Sequence, residues 1–313
     1  MQEKLKKLDR AFWLDSKIVI AGGTGFLGKA FVSIFESLGC SNYRIISRNK
    51  KLKGSKYLYC DLTRKSEVEA IKKEIKSARF IFILASEFSP ASTEDISFSA
   101  FQRNIVMVKN LVDVIPDDVS KVVLSSSTDV YGMPTGNFIN EYHVVNPINY
   151  YALSKYIQER IVEYGLKDKA AKHLILRFTS IYGKSEPPIK FLSVLLDCII
   201  SSKTFTVYGD ACEKRDFLNV EDAAIITLYL VQDAAAGGVF NISTGKGTAI
   251  KELLKIGEKV SGREISLEHK ERVKPKVDLI YDNHKLLSFI KLFQFKPLYE
   301  GIKEQYEVLK ERK

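Results

Sequence analysis

The chain has 313 residues, 45% of them apolar and 27% charged, a balance that supports a full hydrophobic core and excludes a disordered chain. Its formal charge is +10. The basic residues are scattered apart from Lys50, Lys51 and Lys53, which reads as a solvated basic surface, with no nucleic-acid partner expected. The four cysteines, Cys40, Cys60, Cys198 and Cys212, form no CxxC pair and have no histidine cluster beside them, so neither a zinc site nor a disulfide framework is expected, and no metal.

The opening residues, MQEKLKKLDRAFWLDSK, are too charged for a signal peptide. They predict a short amphipathic docking helix over 1–15, with Leu5, Leu8, Phe12 and Trp13 on its apolar side. KIVIAGG then reads as a buried strand, GFLGKAFVSIFESLG as a helix closed by Gly39, and YRIISRN and KYLYCDL as two further strands. VEAIKKEIKSA predicts an amphipathic helix and RFIFILAS a fourth strand. A long helix is expected from Phe98 to Ile115, a fifth strand at KVVLSSS, a helix from Tyr150 to Tyr164 and a strand at HLILRFT. This alternation predicts an α/β fold, a Rossmann-type doubly wound parallel sheet.

After residue 180 the rhythm breaks. IYGKSEPPIK reads as loop, FLSVLLDCIIS as an apolar helix, TFTVYGD as a short strand and turn, and DAAIITLYLVQDA as a helix that returns to the sheet. GVFNIST and REISLEHKE read as short strands. The expected division is a dinucleotide-binding domain of residues 1–179 plus about 216–236, and a smaller α+β substrate lobe of 180–215 plus 237–313. No apolar run reaches the ~18 residues of a membrane span. A cytoplasmic protein without membrane contact is expected, in keeping with free thiols.

Gly22, Gly25 and Gly28 follow the first strand and open the first helix. Glycines there permit a tight turn, close backbone approach and helix N–H groups aimed at a pyrophosphate. At the end of the second strand an NAD site carries a carboxylate for the ribose hydroxyls; here stand Ser47, Arg48 and Asn49. A guanidinium suits a 2′-phosphate, so NADP is the expected cofactor, with NAD the alternative. Asp61 is placed either on the adenine amino group or as a helix cap. Ser127 closes the fifth strand, where open α/β sheets bind ligands. Tyr151 and Lys155 stand four apart on one helix face, a spacing that lets the ammonium lower the phenol's pKa and equips the tyrosine for acid–base work with Ser127.

These residues resemble the extended short-chain dehydrogenase/reductases, the nucleotide-sugar epimerase and dehydratase family. The resemblance runs from Ile18 to about Tyr306. It is carried by GGTGFLG, LAS at 84–86, Asn104, SSSTDVYG at 125–132, PxxxYALSK at 147–155, LRFTSIYG at 176–183, RDFLNVED at 215–222 and FNISTG at 240–245. It implies a catalytic triad of Ser127, Tyr151 and Lys155, with Lys155 also on the nicotinamide ribose. It implies cofactor contacts from Gly22, Thr24, Gly25, Phe26, Leu27, Gly28, Arg48, Asp61, Leu62, Leu84, Ala85, Ser86, Asn104 and Phe178. Substrate contacts are implied for Thr128, Ser180, Tyr208 and the pyrophosphate-binding arginines Arg215 and Arg272. A homodimer through the helices at 98–115 and 150–164 is implied as well.

Three positions depart from the family. Ser180 stands where the family often has Asn. Thr128 stands where 4,6-dehydratases carry an acid, with Asp129 following. Arg48 replaces the acidic residue of NAD-using epimerases. The expected function is a nucleoside-diphosphate-sugar 4-epimerase acting through a transient 4-keto sugar. An NADPH-dependent 4-ketoreductase is the alternative, and a non-enzymatic NADP sensor or RNA-binding protein the reading from another class.

Overall fold

The computed structural model describes residues 2–87, 94–136, 139–272 and 275–312. The N-terminal docking segment is two short helices, α1 (Gln2–Leu5) and α2 (Arg10–Leu14). They are separate because Asp9 starts a new helix, its Oδ1 accepting the Phe12 N–H at 3.0 Å. Trp13 is fully buried beneath them, with its ring centre 5.6 Å from that of Phe35 and 5.7 Å from that of Phe80.

The expected alternation follows: β1 (Ile18–Ala21), α3 (Phe26–Leu38), β2 (Tyr43–Ser47), β3 (Tyr57–Tyr59), α4 (Lys65–Ala70), α5 (Lys72–Lys76), β4 (Phe80–Ile83), α6 (Glu94–Asp113), β5 (Lys121–Ser127), α7 (Tyr150–Gly165) and β6 (Lys172–Phe178). One predicted helix is divided: at Ile71 the backbone turns to φ −96° and ψ 9°, so α4 and α5 present Val68 and Ile75 to the sheet separately. Beyond β6 come β7 (Ser180–Tyr182), α8 (Phe191–Ile200), β8 (Phe205–Tyr208), β9 (Lys214–Asn219), α9 (Val220–Gln232), β10 (Gly238–Ile242), β11 (Gly247–Ala249), α10 (Ile250–Ser261), β12 (Leu267–Lys270), α11 (His284–Phe289) and α12 (Leu298–Glu311).

The main sheet has seven strands in the order β10-β6-β5-β4-β1-β2-β3, all parallel. Both faces are apolar, as parallel strands covered by helices require. One face packs Phe31, Phe35, Ile225 and Leu228 of α3 and α9; the other packs Val108, Leu111 and Val162 of α6 and α7. The strand order reverses between β1 and β4, which opens a crevice at the carboxyl ends of the strands.

Two sequence expectations change here. Gly238–Ile242 does not sit with the smaller lobe: it extends the main sheet, pairing in register with Leu174–Phe178. The segment read as loop after residue 180 begins with β7, which pairs with Phe217–Asn219 of β9 in a separate three-stranded sheet, β11-β9-β7. A two-stranded pair, β12-β8, and helices α8, α10 and α12 close a third core around Leu195, Leu196, Leu253 and Ile302. Both differences have one cause. Short strands in a two-layer protein are selected by the free edge beside them, which local periodicity does not encode.

Candidate active site

Two cavities meet at the crevice. The first, about 370 Å³, lies over the ends of β1, β2 and β4 and is lined by Thr24, Arg48, Asp61, Leu62 and Ala85 among others. The second, about 570 Å³, runs from the glycine loop to the end of β5 and across to β9. Gly22, Gly25, Leu84 and Ser86 line both, so the two join into one groove.

The glycine loop is a fitted cradle. Gly22 has φ +90°, and a Cβ there would lie 2.5 Å from the Ala85 nitrogen; one on Gly28 would lie 2.2 Å from the Gly22 carbonyl oxygen. Gly25 begins α3 without a side-chain cap, leaving first-turn N–H groups for an anion. Phe26, Leu27 and Gly28 face the larger cavity. These features fit a dinucleotide pyrophosphate. Asn104 lies behind the groove rather than in its lining. Its amide clamps the Glu87 backbone, with Oδ1 accepting the Glu87 N–H at 2.7 Å and Nδ2 donating to the Glu87 carbonyl at 2.9 Å.

In the first cavity Arg48 is accompanied by two carboxylates, Asp61 and Glu87. Asp61 makes a turn of its own, accepting from the Thr63 N–H and hydroxyl at 3.0 and 2.7 Å. It does not cap the next helix, whose N-cap is Arg64. Glu87 takes two bonds from Arg103, at 2.7 and 3.0 Å. Arg103 and Arg48 both hold the Glu87 carboxyl below its ordinary range. Glu87 was not singled out from the sequence, where it is one acid in a polar stretch.

Ser127, Tyr151 and Lys155 converge in the larger cavity. Asn149 caps α7, its Oδ1 accepting the Ala152 N–H at 2.8 Å, and this starts the helix just before Tyr151. Lys155 is buried and its Nζ donates to the Ser125 carbonyl at 2.8 Å, tying α7 to β5. One turn on, Glu159 accepts from the Ser126 hydroxyl and takes two Arg177 N–H bonds, at 3.0 and 2.7 Å. Helix α7 is thus fastened to β5 and β6 at two successive turns.

The electrostatics differ from the sequence expectation. Burial pushes Lys155 down to about 7, with Glu159 opposing. Tyr151 is raised rather than lowered: burial dominates, the Asp129 carboxylate adds to it, and only the hydrogen bond with Ser127 works the other way. The lysine nitrogen sits 5.9 Å from the tyrosine ring centre and is committed to Ser125. Spacing on a helix sets a common face but not the cost of taking that face out of water.

On the substrate side the cavity is lined by Thr128, Phe178, Ser180 and Arg215. Arg215 is followed in sequence by the carboxylate of Asp216. Asp216 is occupied by the Thr244 N–H and hydroxyl and the Gly245 N–H, at 3.0, 2.7 and 2.8 Å, and burial pushes it up to about 6. Tyr208 and Arg272 line neither cavity. Tyr208 is 53% exposed, and its carbonyl and the Glu213 carboxylate take the Arg272 guanidinium. Lys190 and Tyr281 line the cavity without having been predicted. Lys190 follows Pro187 and Pro188 in a stretch without periodicity, and Tyr281 lies in a segment whose path only the fold determines. Among the described residues no cluster of ligands could hold a metal, and no helix is long and apolar enough to cross a membrane.

The family model described as the NAD dependent epimerase/dehydratase family matches residues 18–243. A putative UDP-glucose 4-epimerase of Methanocaldococcus jannaschii is 27% identical over 254 residues, covering 76% of this chain and 80% of that protein. Solved structures share the fold. The UDP-glucose 4-epimerase of Thermotoga maritima with UDP-glucose superposes with a TM-score of 0.84 at 22% identity, covering 95% of this chain and 99% of the other. The Thermus thermophilus UDP-glucose 4-epimerase complex with NAD gives 0.81 at 20%, covering 93% and 98%. With the phosphate loop, the reversed strand order and the Ser127, Tyr151 and Lys155 cluster in one groove, this chain belongs to the NAD dependent epimerase/dehydratase family.

Proposed function

We propose that the protein is a nicotinamide-dependent 4-epimerase of a nucleoside-diphosphate sugar, a uridine diphosphate sugar being the first candidate from the relatives. The observation that carries the reading is the single groove joining the glycine loop to Ser127, Tyr151 and Lys155, with Arg215 on its far wall. Tyr151 takes and returns the proton of the sugar hydroxyl, Ser127 bonds the same oxygen, and Lys155 would hold the ribose of the dinucleotide. Arg215 grips the pyrophosphate with its planar fork, so that binding far from the reacting carbon orients the sugar. The bound dinucleotide supplies the hydride acceptor and donor.

NAD fits the adenosine end better than NADP. Arg48 stands there with Asp61 and Glu87, and two carboxylates oppose a 2′-phosphate. A homodimer is proposed through α6 and α7, where Phe98 and Tyr150 are 44% and 40% exposed and meet edge to face at 5.4 Å. The test is conversion of UDP-, GDP-, CDP- and dTDP-sugars by the purified protein with each cofactor, following the C4 epimer by chromatography. Interconversion of a pair of 4-epimers without net cofactor turnover is expected. Stoichiometric cofactor reduction by one of these sugars, or cofactor oxidation when its 4-keto form is supplied, would make it a ketoreductase, and equal rates on the free sugar would remove the pyrophosphate clamp.

A further inference from the structure

We propose that Asp129 is a positioning residue for the proton chemistry of this site: it competes with Tyr151 for the single hydroxyl hydrogen of Ser127. The inference rests on Tyr151 being the acid–base group. Asp129 stands two residues past the end of β5 and its side chain opens on the same cavity as Ser127, Tyr151 and Arg215. The Asp129 N–H donates to the Ser127 Oγ at 3.1 Å, which fixes one lone pair of the hydroxyl. That leaves one hydrogen to give, and the two groups that line the cavity with Ser127 and interact with its hydroxyl are the Asp129 carboxylate and the Tyr151 oxygen.

A hydroxyl with one hydrogen serves one acceptor at a time, and an ionised carboxylate is the stronger acceptor beside a neutral phenol. With Asp129 ionised, Ser127 turns to it and the phenolate loses its donor while also facing a like charge. With Asp129 neutralised, Ser127 turns back and the phenolate gains a donor. Asp129 is faced by Arg215 from β9, by Lys190 from the segment before α8, by Tyr151 from α7 and by Tyr281 from the segment before α11. The two cations favour its ionised form, whereas desolvation among its neighbours in the cavity disfavours it, and the balance lies above the ordinary carboxylate range. A ligand whose pyrophosphate engages Arg215 draws away one of those cations. Substrate binding therefore carries a route to the proton affinity of Tyr151.

The experiment is a tyrosinate-absorbance titration of the purified protein. Each variant is measured against its own Tyr151→Phe counterpart, so that one tyrosine of the 15 is isolated. Asp129→Asn should lower the pH at which Tyr151 ionises by about one unit or more, roughly tenfold in proton affinity. Asp129→Ala should move it in the same direction, and serves if the asparagine variant misfolds. In a Ser127→Ala background the Asp129→Asn shift should shrink, since the shared hydrogen is gone and only the direct charge of Asp129 remains to be removed. With a nucleotide sugar the acid limb of the kcat profile should move to lower pH in Asp129→Asn. An unchanged Tyr151 titration would overturn the proposal. So would a shift of equal size with and without Ser127, which would make Asp129 a through-space charge only. If no nucleotide sugar is turned over, the functional reading fails while the titration still decides this one.

Discussion

Replacing Lys155 by methionine should stabilise the protein while abolishing its activity, and the stabilisation should depend on pH in one direction. Lys155 is 2% exposed, and burial lowers its pKa from 10.5 to about 7. The unfolded chain holds the lysine proton up to pH 10.5, the folded chain only below about 7. Between those values the unfolded state binds more protons, so stability rises with pH, and the full penalty stands below pH 7. A displacement of 3.5 units at 1.36 kcal/mol each is ~5 kcal/mol as an upper bound. Methionine fills a similar volume without charge, but it forfeits the bond to the Ser125 carbonyl, worth about 1.5–3 kcal/mol for a charged donor. The net expectation is about 2 kcal/mol of stabilisation at pH 6, or ~3 °C in melting temperature for a chain of 313 residues. It should fade to nothing or reverse by about pH 10, where the folded lysine is neutral and the unfolded one is close to losing its proton. Thermal melts of the cofactor-free proteins from pH 6 to 10 read this directly. A variant that melts at or below wild type at pH 6, or a difference that stays constant across the series, would refute the reasoning.

Other perturbations separate the parts of the site. Tyr151→Phe should lower kcat by about 10² to 10⁴ while dinucleotide binding, measured by calorimetry, stays within a few-fold. Gly28→Ala would drive a Cβ into the Gly22 carbonyl oxygen at 2.2 Å. A loss of dinucleotide binding beyond tenfold is expected, with a lowered melting temperature. Arg48→Ala should leave NADH affinity nearly unchanged; a selective loss of NADPH affinity of ten- to a hundredfold would instead restore Arg48 as a 2′-phosphate ligand.

Much of the site was legible because its signals are local. Gly22 and Gly28 are fixed by backbone geometry and close approach within their own loop, so a strand, a glycine string and a helix in succession announce the cradle. Tyr151 and Lys155 share a face because four residues is about one turn, and Ser127 closes a strand whose apolar run ends in serines. Less legible were residues whose role depends on distant neighbours. Arg272 has the composition of a phosphate ligand, yet Glu213 and the Tyr208 carbonyl claim it. Glu87 sits in the adenosine cavity because Asn104 of α6 pins its backbone there.

The sequence by itself therefore determined the alternation of strands and helices through β6, the glycine loop after β1 and the grouping of Tyr151 with Lys155 on one helix face. Each of these is written in spacing along a few turns or one strand. Only the tertiary structure decided that Gly238–Ile242 completes the main sheet, since a strand's partner is chosen by whichever edge the rest of the chain leaves open. It alone brought Lys190, Tyr281 and Arg215 to one wall from three separated segments. It also reversed the expected direction of the Tyr151 proton affinity. Desolvation and the Asp129 charge belong to the assembled cavity, and they outweigh a lysine four residues away whose nitrogen is turned toward the strand.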